Sequence, residues 1–202
     1  METRWDTSTE ELLRSYCDEA QTREALHREA YYKFSNKNTC FSLPVIVLSA
    51  LSGSLQFLSK GYPEIEAHII TGTAGLSIVV SIISSVSSYL KLGEMKSKHE
   101  TAQISWQAFH NTLKHELSLR RTIRQPATEF LSATKTSYDR LFEISPIIEQ
   151  ELITKTKKKI KKIAHAEFQI PNYLNGYSHT KVFRTEEDSF PDNSIAEEEE
   201  RV

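Results

Sequence analysis

FSLPVIVLSALSGSLQFL (Phe41–Leu58) and AHIITGTAGLSIVVSIISSVSSYL (Ala67–Leu90) decide the fold of this chain. Asn38 to Ser59 is 22 residues without a formal charge, and Ala67 to Leu90 is 24 more, interrupted only by His68. A bilayer core of roughly 30 Å needs about 20 residues of helix, so each run is long enough to span it. Between them the polar segment 60–66, with Gly61 and Pro63 as helix breakers, is short enough to make the two helices antiparallel. The expected fold class is all-α: a membrane helical hairpin with spans at about 40–59 and 67–90, flanked by long cytoplasmic helices. The competing reading is a hairpin buried at the centre of a soluble helical domain. It is disfavoured because nothing else in the chain is apolar enough to wrap 50 hydrophobic residues.

Whole-chain averages hide this feature. The 202 residues carry a net charge of −2 and a mean hydropathy of −0.44, which alone describe a soluble domain. Taken by segment, the net charge is −2 for residues 1–37, −1 for 38–90, +8 for 91–184 and −7 for 185–202. Near-neutrality is a cancellation. The same figures exclude a collagen-like chain and a strongly basic nucleic-acid binder, so nucleic acid is not an expected partner. Cys17 and Cys40 form no CxxC motif and imply neither a disulfide framework nor a zinc site. Arg28, Lys33 and Lys37 precede the first span and Lys91, Lys96 and Lys98 follow the second, which places both termini in the cytoplasm.

The flanks read as helix. Ser8 and Glu11 have capping-box spacing, and residues 1–37 continue as an amphipathic helix able to run straight into the first span. Residues 91–163 hold more cytoplasmic helix. Ala102, Trp106, Phe109, Leu113 and Leu117 form an apolar stripe expected to pack on the N-terminal helix. Pro126 suits the first turn of a further helix, and Pro146 should end it. Residues 164–202 are expected to be an extended or disordered acidic tail.

Two groups of residues are candidate sites. Thr73, Ser77, Ser81, Ser85 and Ser88 recur along the second span, with Ser49, Ser52 and Gly53 as a sparser set in the first. Small polar residues let helices approach closely and bond to one another, so these form either the packing face of the hairpin or the lining of an oligomeric pore. Lys155, Lys157, Lys158, Lys159, Lys161 and Lys162 put six lysines in eight residues, suited to anionic lipid or an acidic partner. No ionisable group lies within either span, and no phosphate loop, HExxH or GxSxG motif occurs. No enzyme activity and no cofactor are expected. His27 and His99 each lie one helical stretch from the membrane, which suggests that they pair in a helical stalk.

The segments Arg23-Glu-Ala-Leu-His27, Tyr31-Tyr32, Val45-Ile-Val-Leu-Ser-Ala-Leu-Ser-Gly53 and Glu94-Met-Lys-Ser-Lys-His-Glu-Thr-Ala102, followed by Trp106 and Leu113, resemble the SLATT superfamily. These are two-transmembrane effectors associated with nucleotide-sensing bacterial immunity, with similar domains in large DNA viruses. The resemblance covers residues 10–145. It implies a hairpin with long cytoplasmic helices that oligomerises and perforates or destabilises a membrane. By position, His27 and His99 match the family's recurrent histidines, and Ser49, Ser52 and Gly53 its small-residue motif. The lysine block and acidic tail depart from the bacterial pattern and point to a viral or otherwise specialised member, compatible with a virion or host internal membrane.

Two functions follow as expectations. One is a homo-oligomeric pore or membrane-perturbing effector. The other is a non-conducting anchor or scaffold whose helices and residues 155–202 bind a protein partner layer.

Overall fold

The computed structural model describes residues 5–59 and 61–163, in five helices with no strand among them. They are α1 (Thr7–Ser59), α2 (Glu66–Tyr89), α3 (Leu92–Ser118), α4 (Ala127–Ile144) and α5 (Gln150–Ile163). The expected acidic tail, and the Lys60 end of the turn, lie outside the described residues.

The N-terminal helix and the first span are one continuous helix of 53 residues. Pro44 sits inside it without ending it, at the cost of one intrahelical hydrogen bond. The expected Ser8–Glu11 capping box is corrected by the structure. Asp6 is the cap: its Oδ1 accepts the Thr9 N–H at 2.7 Å and its Oδ2 accepts the Ser8 hydroxyl at 3.2 Å. A carboxylate meets the unpaired N–H groups of a helix start better than a hydroxyl, because it also complements the helix dipole. Those hydrogen bonds hold the Asp6 carboxyl below the usual range.

Helices α2 and α3 return antiparallel to α1, and α1 packs most extensively on α3. Three contacts fix the register: His27 with His99, Cys17 with His110, and Glu10 with Arg121. Two residues, Leu90 and Lys91, separate α2 from α3. Lys91 adopts the left-handed conformation at φ 49°, and its N–H bonds to the Ser88 carbonyl at 3.0 Å, closing the end of α2. A residue with a Cβ is strained there by about 1–2 kcal/mol. Lys91→Gly is therefore expected to raise stability by about 0.5–1 kcal/mol, seen as a higher thermal midpoint in detergent. A lower midpoint would mean that the Lys91 side chain matters more than its backbone.

The core lies in the stalk. Leu13, Ala20, Ala102, Trp106, Phe109, Leu113, Ala127 and Phe130 are buried together, with Trp5 closing the far end. Pro126 immediately precedes α4, and α4 stops before Pro146, where Ser145 caps it with an N–H to the Leu141 carbonyl at 3.1 Å. Polar latches help to hold α4 on the stalk. The Tyr138 hydroxyl donates to Glu19 at 2.7 Å and the Trp106 indole donates to the Ser145 hydroxyl at 2.8 Å.

The hairpin contrasts with this core. Both α1 and α2 contain a segment long and apolar enough to cross a membrane, and none of that segment in α1 is buried. Ile46, Phe57, Ile78 and Ile82 are each about 60–80% exposed. Among the described residues no layer covers the hairpin.

Candidate functional site

The hairpin seam recurs at steps of three and four, widened by one residue at Ser42 and at Ser84. On α2 the shielded positions are Ile69, Thr73, Leu76, Val80, Ile83, Ser84 and Ser87, and on α1 between Asn38 and Ser52 they are Asn38, Phe41, Ser42, Val45, Leu48 and Ser52. This is the spacing that keeps one face toward an antiparallel neighbour. Thr73 is buried in the seam with its hydroxyl on the Ile70 carbonyl at 3.0 Å.

The remaining candidate serines point elsewhere. Ser77, Ser81, Ser85 and Ser88 are exposed on α2, and so are Ser49 and Gly53 on α1; of the α1 set only Ser52 faces the seam. The reason is helical geometry. A repeat of four residues drifts about 40° per step, so a stripe that begins in the seam at Thr73 has left it within two steps. Ser77, Ser81 and Ser85, interleaved with Ile78, Ile82 and Val86, line a shallow open groove on the outer side of α2. Ser77 donates to the Thr73 carbonyl at 2.9 Å and Ser81 to the Ser77 carbonyl at 2.8 Å, so both hydroxyls are satisfied within their own helix. The groove wall is small and smooth. A Cβ added at Gly53, Gly72 or Gly75 would meet nothing within 4 Å, so all three glycines also lie on open surface.

Below the hairpin, the two histidines meet. The Nδ1 atoms of His27 and His99 are 3.0 Å apart, at 0% and 1% exposure. One ring must therefore donate and the other accept, which is possible only while at least one ring is neutral. Phe34 stacks on His99 with centroids 5.3 Å apart. The outer nitrogen of His27, Nε2, is buried without a hydrogen-bond partner among the described residues. Burial and then the neighbouring His99 push His27 down to about 3, and burial lowers His99 as well. Sequence spacing could suggest this pair but could not place it at contact.

Cys17 and His110 form a second contact between α1 and α3, with Sγ to Nδ1 at 3.3 Å. His110 Nδ1 is also 3.1 Å from the Cys17 carbonyl oxygen, which only accepts, so that nitrogen carries its proton and does not act as a base toward the thiol. Burial pushes the thiol up to about 11. The pair is a packing contact, not an activated nucleophile. Among the described residues no group of three or more His, Cys, Asp or Glu is arranged to hold a metal.

The lysines occupy α5. Leu152 and Thr156 are its buried side chains, turned to the stalk, while Lys155, Lys158, Lys159, Lys161 and Lys162 are exposed and Lys157 is half-buried. Lys159 pairs with Glu29 at 2.6 Å, and Glu149, just ahead of α5, pairs with Lys33. The structure thus separates the candidate residues into a seam (Thr73, Ser52), an outer groove and a basic strap on the stalk. The chain matches no family model, no curated protein and no solved structure.

Proposed function

We propose that this is a multi-pass integral membrane protein whose hairpin crosses the bilayer with both termini in the cytoplasm, and that it self-associates through the outer face of α2 to perforate or perturb that membrane. The observation that carries this reading is the Ser77–Ser81–Ser85 groove, which faces away from α1 and is left open by the single chain. Two helices enclose nothing, so a pore requires further copies. Small residues on a lipid-facing helix are the usual means by which another helix approaches closely. Lysines flanking the spans support the orientation, and the resemblance to SLATT proteins supports the effector role.

Leakage from liposomes containing the purified full-length chain tests this. Release of a trapped dye should rise steeply with protein density. Ser81→Leu, which fills the groove without adding charge, should weaken each association step about fivefold. Absence of leakage at every density, with oligomers confirmed by crosslinking, would overturn the pore.

One observation favours the second reading, a non-conducting anchor or scaffold. The Ser77 and Ser81 hydroxyls are turned onto their own helix, which makes the groove suit dry helix packing better than a water-filled lumen. In that case the hairpin holds the chain in a membrane, such as that of a virion, and the stalk with residues 155–202 recruits a partner layer. Recruitment that survives deletion of 155–202 would rule out that version.

A further inference from the structure

We infer that α5 is a strap that lies across the stalk just beneath the bilayer and binds the anionic headgroups of the membrane that holds the hairpin. The inference rests on the hairpin crossing a bilayer.

Its height is set by two ion pairs. Glu149, at the start of the strap, reaches Lys33 of α1, and Lys159, ten residues on, reaches Glu29. Those partners are four residues apart on α1, about 6 Å of rise, whereas ten residues of α5 cover about 15 Å. Among the described side chains of α5, Leu152 and Thr156, one turn apart, are fully buried, and Ile153, Lys157 and Ile160 on the same side are half-buried. This side faces the stalk, and the mismatch between about 6 Å on α1 and about 15 Å on α5 sets the angle of the helix. The strap therefore crosses α1 obliquely instead of following it.

Its distance from the membrane follows from the same residues. Asn38, where the charge-free run begins, is five to nine residues beyond Lys33 and Glu29, about 7–14 Å along α1. The headgroup layer occupies about 5–8 Å of that gap, and a lysine side chain spans about 6 Å. The strap descends from its Glu149 end, level with Lys33, to its Lys159 end, level with Glu29. Lys155 and Lys158 thus fall within the roughly 11–14 Å that a lysine side chain and the headgroup layer span together, and Lys161 and Lys162 lie at its limit. Lys155, Lys158, Lys161 and Lys162 are exposed and make no ion pair with a described residue, so they are available for that contact.

Charge complementarity selects the occupant. The exposed face of α5 is dominated by lysine, and Lys33, Lys37, Lys91 and Lys96 surround the same end of the stalk. An acidic protein would have to enter the narrow space between this collar and the membrane, whereas anionic lipid is already there.

Hydrogen exchange of the full-length chain in nanodiscs provides the test, comparing phosphatidylcholine alone with phosphatidylcholine doped with phosphatidylglycerol. Exchange in residues 150–163 should slow by about fivefold for each lysine engaged when phosphatidylglycerol is present. The slowing should vanish near 1 M salt, where the Debye length is about 3 Å. Replacing Lys155, Lys158, Lys161 and Lys162 together by Gln should abolish the response, while replacing them by Arg should keep it. Identical exchange of α5 in both nanodiscs, or a response retained by the Gln variant, would overturn the strap. The spanning hairpin is judged separately: residues 45–58 and 67–88 should be protected in both nanodiscs, and their free exchange would refute the hairpin whatever α5 does.

Discussion

Trp106→Ala is expected to destabilise the stalk by about 3–5 kcal/mol, the range for removing a large buried aromatic side chain. Trp106 is fully buried and touches three elements at once. Its ring meets Phe109 at 6.0 Å and Tyr138 at 5.7 Å, both edge-on, and Arg23 lies over its face at 5.2 Å. Its indole N–H also donates to Ser145, at the exact end of α4. Truncation leaves a cavity between α1, α3 and α4 and removes the latch that holds the last turn of α4. Helix α4 should feel the loss first, because its end loses its hydrogen bond to α3 and stays tied to α1 mainly through Tyr138 with Glu19 and Arg23 with Phe142. Thermal unfolding in detergent would read the loss, and faster exchange confined to residues 127–145 would locate it. Trp106→Phe keeps the packing and loses the N–H, and should cost about 1–2 kcal/mol. A Trp106→Ala chain within 1 kcal/mol of the wild type would mean that α4 is held elsewhere.

The stripe that contains Trp106 was legible because it repeats at three and four, the period of a helix that keeps one face buried. The hairpin was legible for a simpler reason: charge is absent over two runs of the right length. The docking of α4 was not legible. It depends on where residues 119–126 send the chain, and that turn is held by contacts remote in sequence. Arg124 reaches Glu10 and the Leu117 and Leu119 carbonyls, and the Trp5 indole donates to the Gln125 carbonyl. The serine stripe was misleading in direction. Residues repeating every four look like one face over a short window, yet they wind around the helix, so of Thr73, Ser77, Ser81, Ser85 and Ser88 Thr73 alone is shielded in the seam. The heptad of Ile69, Thr73, Leu76, Val80, Ile83 and Ser87 was the readable signal, and it was masked by being mostly apolar in an apolar run. The strap is a similar case: the lysine spacing marks a charged helix, but its height on the stalk comes from Glu29 and Lys33, more than a hundred residues away.

Mild acid should loosen the stalk at His27 and His99. Both histidines have lower affinity for protons when folded than the ordinary value near 6.5, His27 down to about 3. The cause is burial for both and, for His27, also the neighbouring His99 ring and the Arg23 cation. On His99 the Glu149 carboxylate acts in the opposite direction, but it is also engaged with Lys33 and close to Lys37. Below pH 6.5 the unfolded chain therefore binds protons that the folded chain refuses, and stability falls as pH falls. The slope approaches about 1.4 kcal/mol per pH unit for each fully shifted histidine, so His27 alone should cost about 2 kcal/mol between pH 7 and 5. The loss from His27 levels off only near pH 3. The carboxylates at Asp6, Glu10 and Glu149 are held below their ordinary values, and their contributions are lost only in stronger acid, so the window from 7 to 5 isolates the histidines. Second protons on both rings would also set two Nδ1–H groups head to head across 3.0 Å, forcing α1 and α3 apart at this level. Chemical denaturation at pH 7, 6 and 5 measures the slope. His27→Gln retains a hydrogen-bonding group but does not titrate, and should flatten most of the dependence; replacing His99 by Gln as well should remove the rest. A wild-type chain whose stability is level from pH 7 to 5, or a double variant that keeps the full slope, would show that the histidine joint is not what acid attacks.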